Sequence, residues 1–213
     1  MAVEIEGRVG PATVTDGTVR EVSLDRTAAQ RTSAAHGRWY EASVRGNTFM
    51  ASTAVGGVIP GTALGATTSY VLYNPTGSDV DLVVMAVGVG YISGTLGAGT
   101  IVAAKYTENA ANAAPVVATA TVPVCTRLGL NQPKAKVFSA GTLTAAPLIM
   151  FPLFDFGAKL ATTALQSSPF IALPNGAVIV TPGTALCLHG ITAAGDTPLI
   201  VYAALWEEVL HAS

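Results

Sequence analysis

From residue 51 onward, the sequence consists of short apolar runs separated by turn sequences. Runs rich in Val, Ile, Thr and aromatic residues occupy 69–73, 81–92, 100–106, 116–122, 147–154, 177–180, 185–191 and 198–206. Turn sequences lie between them at 74–77, 175–176 and 182–183, the second of which favours a tight hairpin. Eight short strands at this spacing predict a β-sandwich or a β-barrel. Residues 108–114 and 158–166 are candidates for short helical turns.

Two of the predicted strands are apolar on both faces. In 82–92, the even positions from Leu82 and the odd positions from Val83 are all apolar, and 199–206 behaves likewise. Antiparallel strands in soluble monomers normally alternate apolar with polar residues, so we expect another β layer or another subunit to cover the outer face. Cover of about 800 Å² per subunit at ~25 cal/mol per Å² would contribute about 20 kcal/mol before ordering costs. That is enough for a permanent oligomer.

The charged residues are concentrated at the start of the chain. Twelve of the 24 Asp, Glu, Lys and Arg residues lie in the first 45 positions, and only 12 of the 168 residues from Gly46 to Ser213 are charged. We therefore place a boundary near residue 50, with an extended N-terminal arm at 1–50 and a β body at 51–213. An uncharged surface of this size favours burial against copies of the same chain or within a larger assembly.

The arm contains a candidate contact site for a partner. Residues 36–47 combine aromatic and charged side chains of the kind enriched in protein interfaces. The candidate partner-binding residues are Arg38, Trp39, Tyr40, Glu41 and Arg45. We expect them to dock the arm against another subunit.

Charge and hydropathy argue against several partners and locations. The net charge of −2 and the pI near 5.9 give no overall attraction to nucleic acid or to an anionic membrane, and the arm itself has six Arg and six acidic residues. The longest apolar stretch, 80–92, contains Asp81 and is shorter than the ~20 residues that a membrane-spanning helix needs. The start of the chain lacks the pattern of a secretory signal, so we expect assembly in the cytoplasm. Cys125 and Cys187 are then expected to be free and buried.

The histidines and cysteines do not form a recognisable metal or catalytic set. His36, His189 and His211 have no partner at a diagnostic spacing. Cys187 and His189 would share one face of a strand, and even with Cys125 they fall short of the four ligands of a structural zinc site. We expect no metal and no cofactor.

The acidic and glycine-rich motifs are also expected to be structural. Asp79 and Asp81 flank a turn without the further oxygen ligands that calcium needs, so solvated turn carboxylates are the expected role. The glycines of 94–100 lack the Lys-Ser/Thr ending and the helix of a phosphate-binding loop. Glu207 and Glu208 are interpreted as a polar strand end. No catalytic residues are predicted, and the chain is not expected to be an enzyme.

Several sequence blocks resemble those of structural virion proteins of tailed bacteriophages. They are SYVLYNPTGS, GYISGTLGAGT, LPNGAVIVTPGTALCL, the closing ALWEEV and the arm motif HGRWYEASVRGN. The resemblance is to small jelly-roll proteins that act as cement or decoration on a capsid. It implies an all-β, jelly-roll-like antiparallel β-sandwich with an extended arm, assembled as a trimer whose arms bind the major capsid protein. It carries no catalytic residues.

The expected function is therefore that of a non-enzymatic capsid cement or decoration protein, located on the virion and assembled in the host cytoplasm. One alternative is a receptor- or glycan-binding module of a tail fibre or spike, because jelly rolls also host sugar sites. Another is a jelly-roll shell subunit. Fold alone does not choose among these three.

Overall fold

The computed structural model describes residues 6–8, 19–21, 39–129, 132–156 and 170–211. The chain divides into two compact units, Met1–Arg45 and Gly46–Ser213. In the first unit, β1 (Glu6–Arg8) pairs with β2 (Val19–Glu21) and a short helix, α1, spans Tyr40–Arg45. Apart from α1, the regular elements of the described residues are all strands, which confirms the all-β prediction.

The second unit contains twelve described strands. They are β3 (Thr48–Ser52), β4 (Thr67–Asn74), β5 (Val80–Thr95), β6 (Gly99–Thr107), β7 (Val116–Thr121), β8 (Val124–Cys125), β9 (Lys136–Thr142), β10 (Leu148–Phe156), β11 (Phe170–Ala172), β12 (Val178–Val180), β13 (Thr184–Thr192) and β14 (Asp196–Leu210). All eight predicted apolar runs form strands. The short β3, β8, β9 and β11 were not predicted.

The helical prediction for 108–114 is wrong. The Asn109 side chain accepts hydrogen bonds from the backbone N–H groups of Ala111 and Asn112, at 2.8 and 3.0 Å, and Asn109 and Asn112 also exchange backbone hydrogen bonds. An asparagine that binds the backbone just ahead of it favours a turn over a helix. The second helical candidate, 158–166, lies outside the described residues.

The strands form two antiparallel sheets with jelly-roll topology. One sheet has the order β10-β6-β13-β4-β9-β7, and the other has the order β11-β5-β14-β3-β8, with β12 also paired to β5. Within them, β4-β13-β6-β10 faces β3-β14-β5-β11/β12, the arrangement of two Greek keys in a jelly roll. Strands β7, β8 and β9 are inserted between β6 and β10 and extend both sheets. The antiparallel β-sandwich expected from the resemblance is confirmed.

The main core lies between the two sheets and is built around large aromatic residues. Trp206, Tyr202 and Tyr70 are fully buried, and the rings of Phe49 and Trp206 lie 6.1 Å apart. The Tyr70 hydroxyl donates a 3.2 Å hydrogen bond to the backbone carbonyl of Ala51 in the opposite sheet. Burial of this hydroxyl raises the Tyr70 pKa. The aromatic cluster therefore joins the sheets by packing and by a specific polar contact.

A β-bulge in β5 interrupts its alternation of faces. Ala86 pairs with Leu205 and Val84 pairs with Trp206, so Met85 is an extra residue in the ladder between β5 and β14. A β-bulge inserts one residue into one strand and shifts every later side chain to the opposite face. The inward positions of β5 are thus even before Met85 and odd after it.

The burial of the β5 side chains agrees with this change from even to odd inward positions. Leu82 and Val84 are buried before the bulge, and Val87 and Val89 are buried after it, whereas Gly88 is partly exposed. The expectation that the even positions of 82–92 share one face is wrong. Periodicity alone does not locate a bulge, because the flanking residues on both faces are apolar.

The hairpin predicted at 175–176 is also wrong. Asn175 and Gly176 have positive φ angles of 54° and 86°, but they connect β11 and β12, which both pair with β5. Their N–H groups donate to the carbonyls of Met85, at 3.3 Å, and Val84, at 2.9 Å. This turn therefore lies opposite the bulge in β5.

The outer side of the β4-β13-β6 sheet is covered by loops of the same chain. Val71, Tyr73, Tyr106 and Cys187 form a second buried cluster, against which Leu64 packs. This sheet therefore has two buried faces. The strands for which an external cover was expected, β5 and β14, lie in the other sheet.

Substitutions around the bulge test the assignment of faces. We expect Val84→Ala and Val87→Ala each to lower the free energy of unfolding by about 2 kcal/mol, because both side chains are buried in the core. Val83→Ala on the outward side should cost less than about 0.5 kcal/mol. Urea denaturation of the three variants measures this. Equal losses for Val83 and Val87 would mean that strict alternation holds and that the bulge is absent.

Candidate functional site

The predicted arm residues lie at α1. Trp39 precedes the helix and is partly buried, Tyr40 is 40% exposed, and Arg45 is exposed at the last turn. Arg38 and the side chain of Glu41 lie outside the described part of the structure. The proposed contact of these five residues with a partner stays a prediction.

His189 and Ser69 form a contact between a hydroxyl and an imidazole. The His189 Nδ1 accepts the Ser69 backbone N–H at 3.1 Å and lies 3.1 Å from Ser69 Oγ, while Nε2 donates to the Ala63 carbonyl at 3.1 Å. Ser69 Oγ also reaches the carbonyl of Ile59 at 3.3 Å. A catalytic base would have its second nitrogen on a carboxylate and an accessible hydroxyl. Here both groups bind the backbone of the loop that covers them.

This loop fits closely over the histidine. A Cβ atom at Gly61 would lie 1.7 Å from His189 Nε2, and one at Gly190 would lie 2.7 Å from Pro60. A depression of about 770 Å³ lies beside the loop and is lined mainly by small apolar and hydroxyl-bearing residues. His189 is the one ionisable group in its lining, and both ring nitrogens are already occupied. The site therefore offers little to orient a polar ligand.

The two cysteines lie in different sheets. Cys187 and His189 are on the same side of β13, as expected from their spacing, and burial raises the pKa of the Cys187 thiol to about 12. Cys125 lies on β8 of the other sheet and donates to the Gly46 carbonyl at 3.5 Å, so it does not join them. Both thiols are free and buried, as predicted. Within the described ranges, no group of three or more His, Cys, Asp or Glu residues is positioned to hold a metal ion.

The turn carboxylates are paired with basic groups. Asp79 forms a 3.3 Å ion pair with Lys134, and Asp81 lies 2.8 Å from the Nδ1 of His211. The backbone N–H of His211 also donates to the Asp79 carbonyl at 2.8 Å. These contacts hold the end of the described chain against the turn between β4 and β5.

Glu208 is not the polar strand end that the sequence suggested. Its side chain is on the core side of β14, the residue is only 8% exposed, and the carboxylate accepts the backbone N–H groups of Lys134 and Ala135, both at 3.0 Å. Trp206 Nε1 lies 3.5 Å from the same carboxylate. A buried carboxylate is stable only when such donors surround it. Glu208 therefore fixes the segment before β9 to the end of the sandwich.

The outward side of the sheet that contains β5 and β14 is largely apolar, and several of its side chains are exposed. We call this surface the β5–β14 face. The strand register places on it Met50, Ser52, Val83, Ala86, Gly88, Ile171, Ile179, Ala203 and Leu205. Ile171 and Ile179 are 61% and 53% exposed. The middle of the face is flat because Gly88 and Ala203 are small, and the acidic Glu207 lies toward one end.

No family model matches the chain, and no curated protein or solved structure shows significant similarity to it. Among the described residues, no helix has the length and apolar character needed to cross a membrane. The polar groups of the described residues bind loops and strand ends, and the β5–β14 face is an apolar surface that the sheets leave open.

The His189 contact predicts a dependence of stability on pH. Burial lowers the His189 pKa in the folded chain, so the unfolded chain binds a proton more readily as the pH falls. The free energy of unfolding should therefore decrease from pH 7 to pH 5, with most of the loss below the ordinary histidine pKa of about 6.5. Denaturation curves at several pH values measure this.

His189→Gln should be less stable at pH 7 and should show a flatter pH profile than the unsubstituted chain. His211→Gln, a change of the same chemistry at an exposed site, should leave the His189 component intact. A His189→Gln profile as steep as that of the unsubstituted chain would contradict the assignment.

The two adjacent glutamates provide a matched test of the Glu208 contact. Glu208→Gln should lower the free energy of unfolding by about 1.5–3 kcal/mol, because one buried backbone N–H loses its charged acceptor. Glu207→Gln should change it by less than about 0.5 kcal/mol. Urea denaturation at pH 7 compares them, and similar values for the two variants would contradict the burial of Glu208.

Proposed function

We propose that the chain is a non-enzymatic structural protein of a tailed-phage virion, a capsid cement or decoration protein that stabilises the head shell. It assembles in the host cytoplasm as a homo-oligomer, a trimer, and binds the major capsid protein at the capsid surface. It uses no cofactor, binds no nucleic acid and inserts into no membrane. The observation that carries this proposal is the open β5–β14 face on a body that has few charged residues.

The chemistry of the body supports a role based on surface burial. His189, Glu208 and the turn aspartates use their polar atoms to fix loops and strand ends. The β5–β14 face instead presents Met50, Ile171 and Ile179 to solvent, and large exposed apolar patches mark sites of protein association. The resemblance to jelly-roll cement proteins adds the capsid as the surface to which the oligomer binds.

The arm supplies the contact with the capsid protein. Tyr40 and Arg45 are exposed at α1, and aromatic and Arg side chains contribute a large share of the energy in protein interfaces. The oligomer then presents several arms to one shell. Several simultaneous contacts raise the overall affinity well above that of a single arm.

Capsid binding tests the proposed function directly. The full chain should sediment with empty heads of the phage that encodes it, and Tyr40→Ala combined with Arg45→Ala should weaken this binding at least tenfold without changing the oligomeric state. Val55→Ala, a change at a fully exposed position of the body, is the control and should bind like the unsubstituted chain.

Three outcomes would contradict the proposal. Unchanged binding by the arm variant would exclude the role of α1. Absence of binding together with micromolar recognition of glycans would favour a tail-fibre or spike module. Closed particles formed by the purified chain alone would identify a shell subunit.

A further inference from the structure

The sandwich has a second exposed apolar surface at the start of β10. Leu148, Ile149 and Met150 are 76%, 53% and 45% exposed. Leu148 and Ile149 are successive residues of the ladder with β6, so their side chains lie on opposite sides of this edge strand, and Met150 is the extra residue where the register shifts. We call these three residues the β10 patch. The patch surrounds the edge of its sheet, whereas the β5–β14 face lies on the flat side of the other sheet.

The β10 patch is not suited to adding another strand. Within the described chain, β10 is the last strand of its sheet, but Pro152 and two register shifts interrupt it. Proline and bulges on an edge strand prevent continuous pairing with a further strand. A partner at this edge would therefore contact side chains rather than extend the sheet.

We propose that the β10 patch of one copy packs onto the β5–β14 face of a second copy. This inference rests on the proposed oligomer and names its contact. The two surfaces are different, because one lies at the edge of its sheet and the other on the outward side of the opposite sheet, around the small residues Gly88 and Ala203. Contact between two different surfaces of identical chains is heterologous, and it forms a ring when the rotation between copies closes. A trimer is a ring of this kind.

The charges beside the two surfaces are complementary. Lys105 pairs with Leu148 in the sheet register and is exposed next to the β10 patch. Glu207 pairs with Val83 at one end of the β5–β14 face. Neither Lys105 nor Glu207 has an ion-pair partner within the described residues. A lysine at the rim of one surface and a glutamate at the rim of the other favour their association.

Two substitutions test the two sides of the contact one at a time. Leu148→Glu places a charge in the β10 patch, and Gly88→Glu places one in the middle of the β5–β14 face. Gly88 tolerates a side chain within the fold, because a Cβ atom there would meet its nearest neighbours at 3.9 Å. Leu210→Glu is the matched control, since Leu210 is 79% exposed but lies at the end of β14. Circular dichroism and urea denaturation confirm that each variant folds.

Native mass spectrometry of the full chain gives the readout. The unsubstituted chain and Leu210→Glu should form trimers, and Leu148→Glu and Gly88→Glu should each be monomers at the same concentration. An equal mixture of the two monomeric variants should form a complex of two chains. The intact β10 patch of Gly88→Glu then binds the intact face of Leu148→Glu, while the other contact has two glutamates and does not close the ring.

A charge exchange provides a second measurement. Lys105→Glu alone should weaken self-association about tenfold, and adding Glu207→Lys to the same chain should restore most of it. Failure of the double variant to recover would contradict the orientation of the contact.

The remaining outcomes separate this inference from the proposed function. Trimers formed by either Leu148→Glu or Gly88→Glu alone, or a mixture that stays monomeric, would overturn the inference and leave the proposed oligomer intact. A monomeric unsubstituted chain would overturn both.

Discussion

The pairing of β5 with β14 is the interaction on which the rest of the structure depends. These two long strands form the middle of one sheet, and their inward side carries Tyr202 and Trp206 into the core. Their outward side forms most of the β5–β14 face. Because Met85 is an extra residue in this ladder, the same register decides which apolar side chains fill the core and which remain available for association. The register of β5 with β14 therefore determines both the core of the fold and the proposed contact surface.

The two sheets of the sandwich differ in how their outer sides are covered. Loops of the chain bury the outer side of the β4-β13-β6 sheet, and His189 helps to fix one of these loops through its contacts with Ser69 and Ala63. No comparable loop covers the β5–β14 face within the described residues, where Ile171 and Ile179 remain exposed. This asymmetry gives the body one surface that the chain covers by itself and another that is open to a partner.

Residues that carry reactive chemistry in other proteins have structural roles here. The Ser69 and His189 side chains bind loop carbonyls, Glu208 binds two backbone N–H groups, and the Cys187 thiol lies in an apolar cluster that raises its pKa to about 12. Buried polar groups of this kind are stable because their hydrogen bonds are satisfied within the chain. These contacts stabilise the fold of the described chain.

The sequence by itself determined the strands and the class of fold, because apolar runs and turn residues act within a few positions of each other. The eight predicted strands and the shared side of Cys187 and His189 follow from such local patterns. The tertiary structure alone decided the bulge at Met85, the burial of Glu208, the turn at Asn109 and the open β5–β14 face. Most of these depend on contacts between residues far apart in the chain, such as Glu208 with Ala135 or Ala86 with Leu205, and a pattern that is apolar on both sides of a strand does not reveal which side meets the core.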